Sequence, residues 1–219
     1  MQDISDMSYV VELCGLPRVG KSVSTERIFS FFKYGKIDAT IADEPAFLVK
    51  NSTSNEELSK MSKVDFNDKT LEVSKNNLRK LKEAKKSIIL MDRGVIDNYF
   101  WYQMMYEDGT ISKECYDDKM KGLHFDLSEI DQLYMLTADP ETIIYRDYLN
   151  EIYLDDRNKT TLEGVTKLKR GYENLFPTIE YMKKDGVYQM DTTSIDLIDT
   201  SIVIADSIMD GAIKKYTYK

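Results

Sequence analysis

The run Gly15-Leu16-Pro17-Arg18-Val19-Gly20-Lys21-Ser22 decides how the rest of the chain is read. It fits the pattern G-x-x-x-x-G-K-[ST], and its flanks supply the context that pattern needs. Tyr9, Val10, Val11, Leu13 and Cys14 read as a short apolar strand before it, and residues 22–32 read as a helix after it. The two glycines allow the backbone to double back with its N–H groups turned inward. The helix N-terminus adds about half a positive charge, so the concavity suits phosphate oxygens. Gly15, Arg18, Val19, Gly20, Lys21, Ser22 and Val23 are the residues expected to border such phosphates. Lys21 is expected to reach the β- and γ-phosphates and the Ser22 hydroxyl to ligate Mg²⁺. A glycine turn carrying a surface lysine is the plainer alternative.

Size and charge narrow the classes. With 219 residues, 42% of them hydrophobic, the chain fits a single α/β domain over 1–219. The formal charge of −8, from 38 acidic and 30 basic residues, argues against binding polymeric nucleic acid, which needs a basic surface. Cys14 and Cys115 lack metal-ligand spacing, so a buried free thiol at Cys14 is expected rather than a disulfide, as suits a reducing compartment. No apolar run approaches the roughly 18 residues of a membrane span, and residues 1–7 lack the regions of a signal peptide. A cytoplasmic location without a membrane partner is the default expectation.

Outward from the loop, Gly35 stops the first helix, and residues 37–42 read as a second strand closed by Asp43-Glu44-Pro45. Glu44 therefore hangs at a strand's C-terminal end. Residues 54–86 carry helical spacing in two pieces, Leu58 and Met61 in the first and Phe66, Leu71, Val73, Leu78 and Leu81 in a longer second. Their many Lys and Asn residues read as a solvated face. The apolar run 87–91 reads as a parallel strand buried on both faces, and it ends abruptly in Asp92-Arg93-Gly94. Residues 96–106 are aromatic-rich and helical, read as core first and as a pocket wall second. One helix is expected over 112–123, with His124 structural or exposed rather than catalytic.

Residues 132–136 give a fourth strand, Asp139-Pro140 opens a helix bearing Arg146, and the polar stretch 150–159 carries Arg157. Helical spacing returns over 162–182, where Pro177 is expected to kink or break the helix. Residues 187–190 read as a fifth strand, followed by an amphipathic helix to about Gly211. Strands separated mostly by helices argue for an α/β fold around a parallel sheet, whose ligand crevice lies at the strands' C-terminal ends. The Gly15 loop, Glu44 and Asp92-Arg93 all fall at such ends.

Taken in order, these residues resemble the P-loop nucleoside and nucleotide kinases, in particular the deoxynucleoside kinase and thymidylate kinase branch. The likeness rests on residues 15–22, on Glu44-Pro45 after the second strand, on Asp92-Arg93 after the third, and on an arginine-bearing region from Arg146 to Arg157. Weaker support comes from 136–141 and 187–191. The resemblance implies a P-loop NTPase three-layer α/β/α sandwich with a five-stranded parallel sheet. It implies an ATP- and Mg²⁺-dependent phosphotransferase acting on a nucleoside or nucleoside monophosphate. On that likeness Lys21 holds the donor phosphates, and Ser22 and Asp92 serve the metal. Arg93 steers the acceptor and the transferring phosphoryl group, while Arg146 and Arg157 close over the donor from a lid at 146–160. Glu44 is then the general base toward a hydroxyl acceptor. An N-cap or salt-bridge carboxylate is the plainer role for Glu44, and a surface ion pair with Asp155 or Asp156 is the plainer one for Arg157. The partner would be a small nucleoside or nucleotide, with the oligomeric state open, a homodimer included.

The sequence departs from that family in three places. The loop interior Leu-Pro-Arg-Val is bulkier than the small-residue versions, Glu12 interrupts the first strand, and residues 92–97 also resemble an Asp-Arg-Gly-x-x-Asp pattern of ribosylnicotinamide kinases and related ATPases. Two other readings therefore stay open: a kinase of another small hydroxyl acceptor such as ribosylnicotinamide, and a nucleotide-dependent switch or slow ATPase. A guanine-specific switch is disfavoured, because Asn158-Lys159 is followed by Thr160-Thr161 instead of completing Asn-Lys-x-Asp.

Overall fold

A computed structural model of the chain describes residues 8–154 and 161–217. Strand β1 (Tyr9–Gly15) is buried along its whole length and lies at the centre of the sheet. It pairs in parallel with β3 (Ile88–Asp92) on one side and β4 (Gln132–Thr137) on the other. β2 (Ala39–Ala42) adds to β3, and β5 (Val187–Asp191) adds to β4. The described residues thus form a five-stranded, all-parallel sheet in the order β2-β3-β1-β4-β5. The three inner strands are near-continuous apolar runs because helices cover both of their faces, whereas the edge strands β2 and β5 are only partly buried.

Helix α1 (Lys21–Tyr34) packs against α10 (Leu197–Thr217). A second group is formed by α4 (Lys63–Glu83), α5 (Asp97–Glu107) and α9 (Leu162–Met182), with α5 touching both of the others. Around it α2 (Pro45–Ser52) leans on α4, α6 (Lys113–Met120) on α5 and α8 (Pro140–Leu154) on α9. The short helices α3 (Asn55–Lys60) and α7 (Leu123–Ser128) complete the connections. Two helix groups about one sheet are compatible with a three-layer α/β/α sandwich. β1 feeds α1 in the first group while its neighbour β3 feeds α5 in the second. Adjacent strands whose chains leave toward opposite layers open a crevice at their C-terminal ends.

Several sequence expectations are corrected. Residues 45–52, given no element from the sequence beyond Pro45, form a helix, which Pro45 opens at N1 with its φ already fixed near the helical value. The 54–86 region divides where expected, and each piece begins with a capping box, Ser54 with Glu57 and Ser62 with Asp65. The buried stripe of α4 is mostly polar: Asn67, Thr70, Ser74 and Leu78 point inward, and the Asn67 amide donates to the Asn98 carbonyl at 3.0 Å. That overturns the solvated-face reading for Asn67.

The helix expected over 112–123 is two helices, α6 and α7. They are divided near Gly122, where a Cβ would stand 2.7 Å from the Tyr99 hydroxyl. Pro177 does not break α9, because Pro177 and Glu173, whose carbonyl loses its donor, both lie on the exposed face. Helix α10 runs past Gly211 to Thr217; Gly211 is a close-packing position, where a Cβ would overlap the Tyr9 hydroxyl. His124 is exposed, and both cysteines are free thiols, with Cys14 buried. Among the described residues no helix is long and apolar enough to cross a membrane.

Candidate active site

The loop after β1 is framed by backbone that only glycine takes easily. Gly15 has φ 125°, and a Cβ there would collide with the Leu136 carbonyl; Gly20 has φ 92° and is the N-cap of α1. Between them Arg18 also holds a left-handed φ of 57°. The Lys21 side chain folds back under this loop, its Nζ donating to the Gly15 carbonyl at 3.0 Å and the Leu16 carbonyl at 2.5 Å. Lys21 is only 6% exposed, and burial, helped by the charge of Arg93, pushes its pKa down to about 7 against the pull of Asp97 and Asp92. Helix α1 starts with neither a side-chain cap nor an acidic residue in its first turn, whereas α3, α4, α6 and α9 each carry a Ser or Thr cap. Unsatisfied helix N–H groups and a desolvated ammonium thus gather on one loop.

The loop is held from behind. Arg18 Nε donates to Asp147 at 2.7 Å, and Arg146 donates to the Arg18 carbonyl at 3.3 Å, the Thr192 hydroxyl at 3.1 Å and the Thr192 carbonyl at 2.6 Å. The Thr192 hydroxyl in turn lies 3.3 Å from the Val19 carbonyl and 3.0 Å from that of Thr137. Arg146, expected as a lid charge, is here a half-buried tie between the loop and the segment after β5. Val23 stands 41% exposed on α1. The expected lid at 146–160 begins inside α8; Arg157 and the rest of 155–160 lie outside the described residues.

A second cluster stands at the end of β3, where the register sets Asp92 opposite Leu13 of β1. Arg93 takes a left-handed φ of 56°, and its N–H donates to the Leu13 carbonyl at 2.9 Å. Its Nη1 donates to Asp97 Oδ2 at 2.9 Å, and its Nε stands 3.7 Å from Glu44 Oε1. The Tyr172 hydroxyl donates to the other oxygen of Asp97 at 2.6 Å. Burial alone would raise the Asp97 pKa, but the charge of Arg93, the Tyr172 hydroxyl and Lys21 hold it below the usual carboxylate value. Burial and the charge of Asp97 push the Tyr172 phenol well up, so it stays a donor. Glu44 sits at the N-cap position of α2, yet makes no side-chain cap bond; its carboxylate, 46% exposed, faces Arg93 instead.

Glu44, Arg93 and Asp97 line one part of a cavity of about 740 Å³ bordered by α2, α4 and α5. Phe66, Trp101, Met104 and Met105 give it an apolar wall, and Asn67 and Thr70 add polar groups. The aromatic segment therefore divides its roles: Tyr99, Phe100 and Tyr102 are core, while Trp101 lines the cavity. Asp97, Asn67, Asp147, Tyr172 and Thr192 were not singled out from sequence as site residues. Of these only Asp97 had a local signal, as the last residue of the Asp-Arg-Gly-x-x-Asp pattern over 92–97.

Among the described residues no group of three His, Cys, Asp or Glu could hold a metal by itself. One hydroxyl, Ser22, and one carboxylate, Asp92, are the kind of partial set that Mg²⁺ completes with phosphate oxygens and water. Neither family models nor curated proteins give a match to this chain.

Proposed function

We propose that this chain is an ATP- and Mg²⁺-dependent phosphotransferase of the P-loop kinase type, acting on a nucleoside or nucleoside monophosphate. The observation that carries the reading is the buried Lys21, held under the 15–22 loop by the Gly15 and Leu16 carbonyls, after a strand whose Leu13 pairs with Asp92 at the β3 end, where Arg93 and Asp97 line the cavity. A phosphate donor in the 15–22 loop would meet an acceptor in that cavity.

Each residue then has a task. Lys21 and the α1 N-terminus hold the donor phosphates, whose negative charge keeps the lysine protonated. Arg93, anchored by Asp97, presents a fixed positive charge where the phosphoryl group passes. Glu44 accepts the proton of an acceptor hydroxyl. Ser22 and Asp92 would hold Mg²⁺, which when bound neutralises charge on the phosphoryl oxygens. The apolar wall with Phe66 and Trp101 suits a flat base. Transfer of label from γ-labelled ATP to a panel of nucleosides and monophosphates tests this. A labelled nucleotide product supports it; ATP hydrolysis with no acceptor product would favour a switch or slow ATPase.

A further inference from the structure

Glu12 is the one charged residue inside the central strand, and it is fully buried. Such a carboxylate is costly unless every lone pair finds a donor. Its Oε1 accepts from the N–H of Gly94 at 3.0 Å and of Asp97 at 2.8 Å, and its Oε2 accepts from Ile96 N–H at 3.0 Å. All three donors belong to the turn that joins β3 to α5. Ile96 is the N-cap of helix α5 and supplies no side-chain cap bond, so Glu12 caps the helix from the neighbouring strand, with negative charge at the helix N-terminus. Gly94 permits the approach, since a Cβ there would stand 2.6 Å from Glu12 Oε2 and 2.7 Å from its Cδ. The same turn carries Arg93 in its left-handed conformation and Asp97, which grips the Arg93 guanidinium.

We propose that Glu12 is a positioning residue for Arg93: it pins the 93–97 turn so that the guanidinium is held at the acceptor end of the cavity. Its kinetic consequence rests on the phosphotransferase reading, whereas its effect on Arg93 does not. Burial pushes the Glu12 pKa up to about 7 against the three N–H donors, so its grip is strongest when it is ionised. The charge of Asp97 on α5 adds to that rise.

Glu12→Gln keeps the volume but turns an NH₂ toward one of the three backbone donors. In this variant kcat on the best acceptor should fall about 10- to 100-fold, the scale of a small misplacement of a catalytic group, while the Kd for ATP stays within about twofold. The second readout is the Nε–Hε NMR resonance of Arg93, assigned by its loss in Arg93→Lys; it should move or broaden in Glu12→Gln. Gly94→Ala presses on the same carboxylate from the other side and should give the same pair of effects, which covers a Glu12→Gln chain that fails to fold. An unchanged Arg93 resonance in a folded variant, or loss of ATP affinity in step with kcat, would overturn the proposal. A wild-type protein that transfers no phosphate would remove the phosphotransferase reading and leave the resonance to decide the role of Glu12.

Discussion

Replacing Asp97 by Asn removes one charge from a buried cluster and leaves its shape nearly intact. The carboxylate accepts from Arg93 at 2.9 Å and from Tyr172 at 2.6 Å, and its side chain is 5% exposed. Breaking a fully buried pair by removing one partner costs about 3–5 kcal/mol, because the other charge is left uncompensated. Two observations reduce that here: the Arg93 side chain keeps 21% exposure, and Glu44 stands 3.7 Å from its Nε. The Tyr172 hydroxyl can still donate to the Asn oxygen. A loss of about 2–3 kcal/mol follows. In a chain of this size each kcal/mol moves Tm by roughly 2–4 °C, so thermal melts near neutral pH should show a drop of about 4–12 °C.

The sign of the pH dependence is set by the folded-state pKa lying below the unfolded value. The carboxylate's contribution is then complete above about pH 4 and is lost as pH falls through the folded pKa. The gap between wild type and Asp97→Asn should therefore shrink in strong acid, and from about pH 8 to 5 it should change only as Lys21 and Glu12, whose pKa values near 7 are raised by the Asp97 charge, titrate. Equal stability of the two proteins near neutral pH, or a gap that opens only above about pH 6, would refute the buried-pair account.

Lys21 gives a slope of the same sign in a higher window: its folded pKa near 7 lies below the ordinary 10.5, so the unfolded chain binds more protons between those values and ligand-free stability rises with pH there. Stepping pH from about 7 to 10, the rise in Tm should be steeper in wild type than in Lys21→Met; parallel curves would contradict the buried ammonium. Glu44→Gln should lower kcat on a nucleoside by about 10²- to 10⁴-fold with ATP affinity unchanged, as loss of a general base requires. Steady-state kinetics equal to wild type on every accepted nucleoside would eliminate it as the base. Gly171→Ala places a Cβ on Met104 Sδ between α9 and α5, and urea unfolding should show an overpacking loss of about 1–3 kcal/mol, with an unchanged midpoint contradicting the tight contact.

Much of the fold was legible because the inner strands β1, β3 and β4 are covered on both faces and so read as apolar runs ending in loops with sharp chemical signals. The loop glycines and Lys21 form a local pattern, and Arg93 follows a strand end directly. What escaped the sequence was non-local. Glu12 looked like an interruption of β1 because its three donors lie 82 to 85 residues away. Arg146 meets Thr192 across 46 residues, and nothing near it in sequence announces that contact. The inward stripe of α4 was misread because that helix borders a cavity with polar groups, so hydrophobicity did not mark its buried side. Helix α2 escaped because eight residues after a proline carry too little periodicity to separate from a turn.

The central claim is that the 15–22 loop holds the phosphates of a nucleoside triphosphate through Lys21. Calorimetric titration of Mg²⁺–ATP into wild type and Lys21→Met tests it most directly. Saturable one-site binding by the wild type, weakened at least tenfold in a folded Lys21→Met variant, is the predicted result, tenfold corresponding to about 1.4 kcal/mol and a lost charge-assisted contact being worth at least that. Equal affinity of the two proteins, or no binding by the wild type, would contradict it.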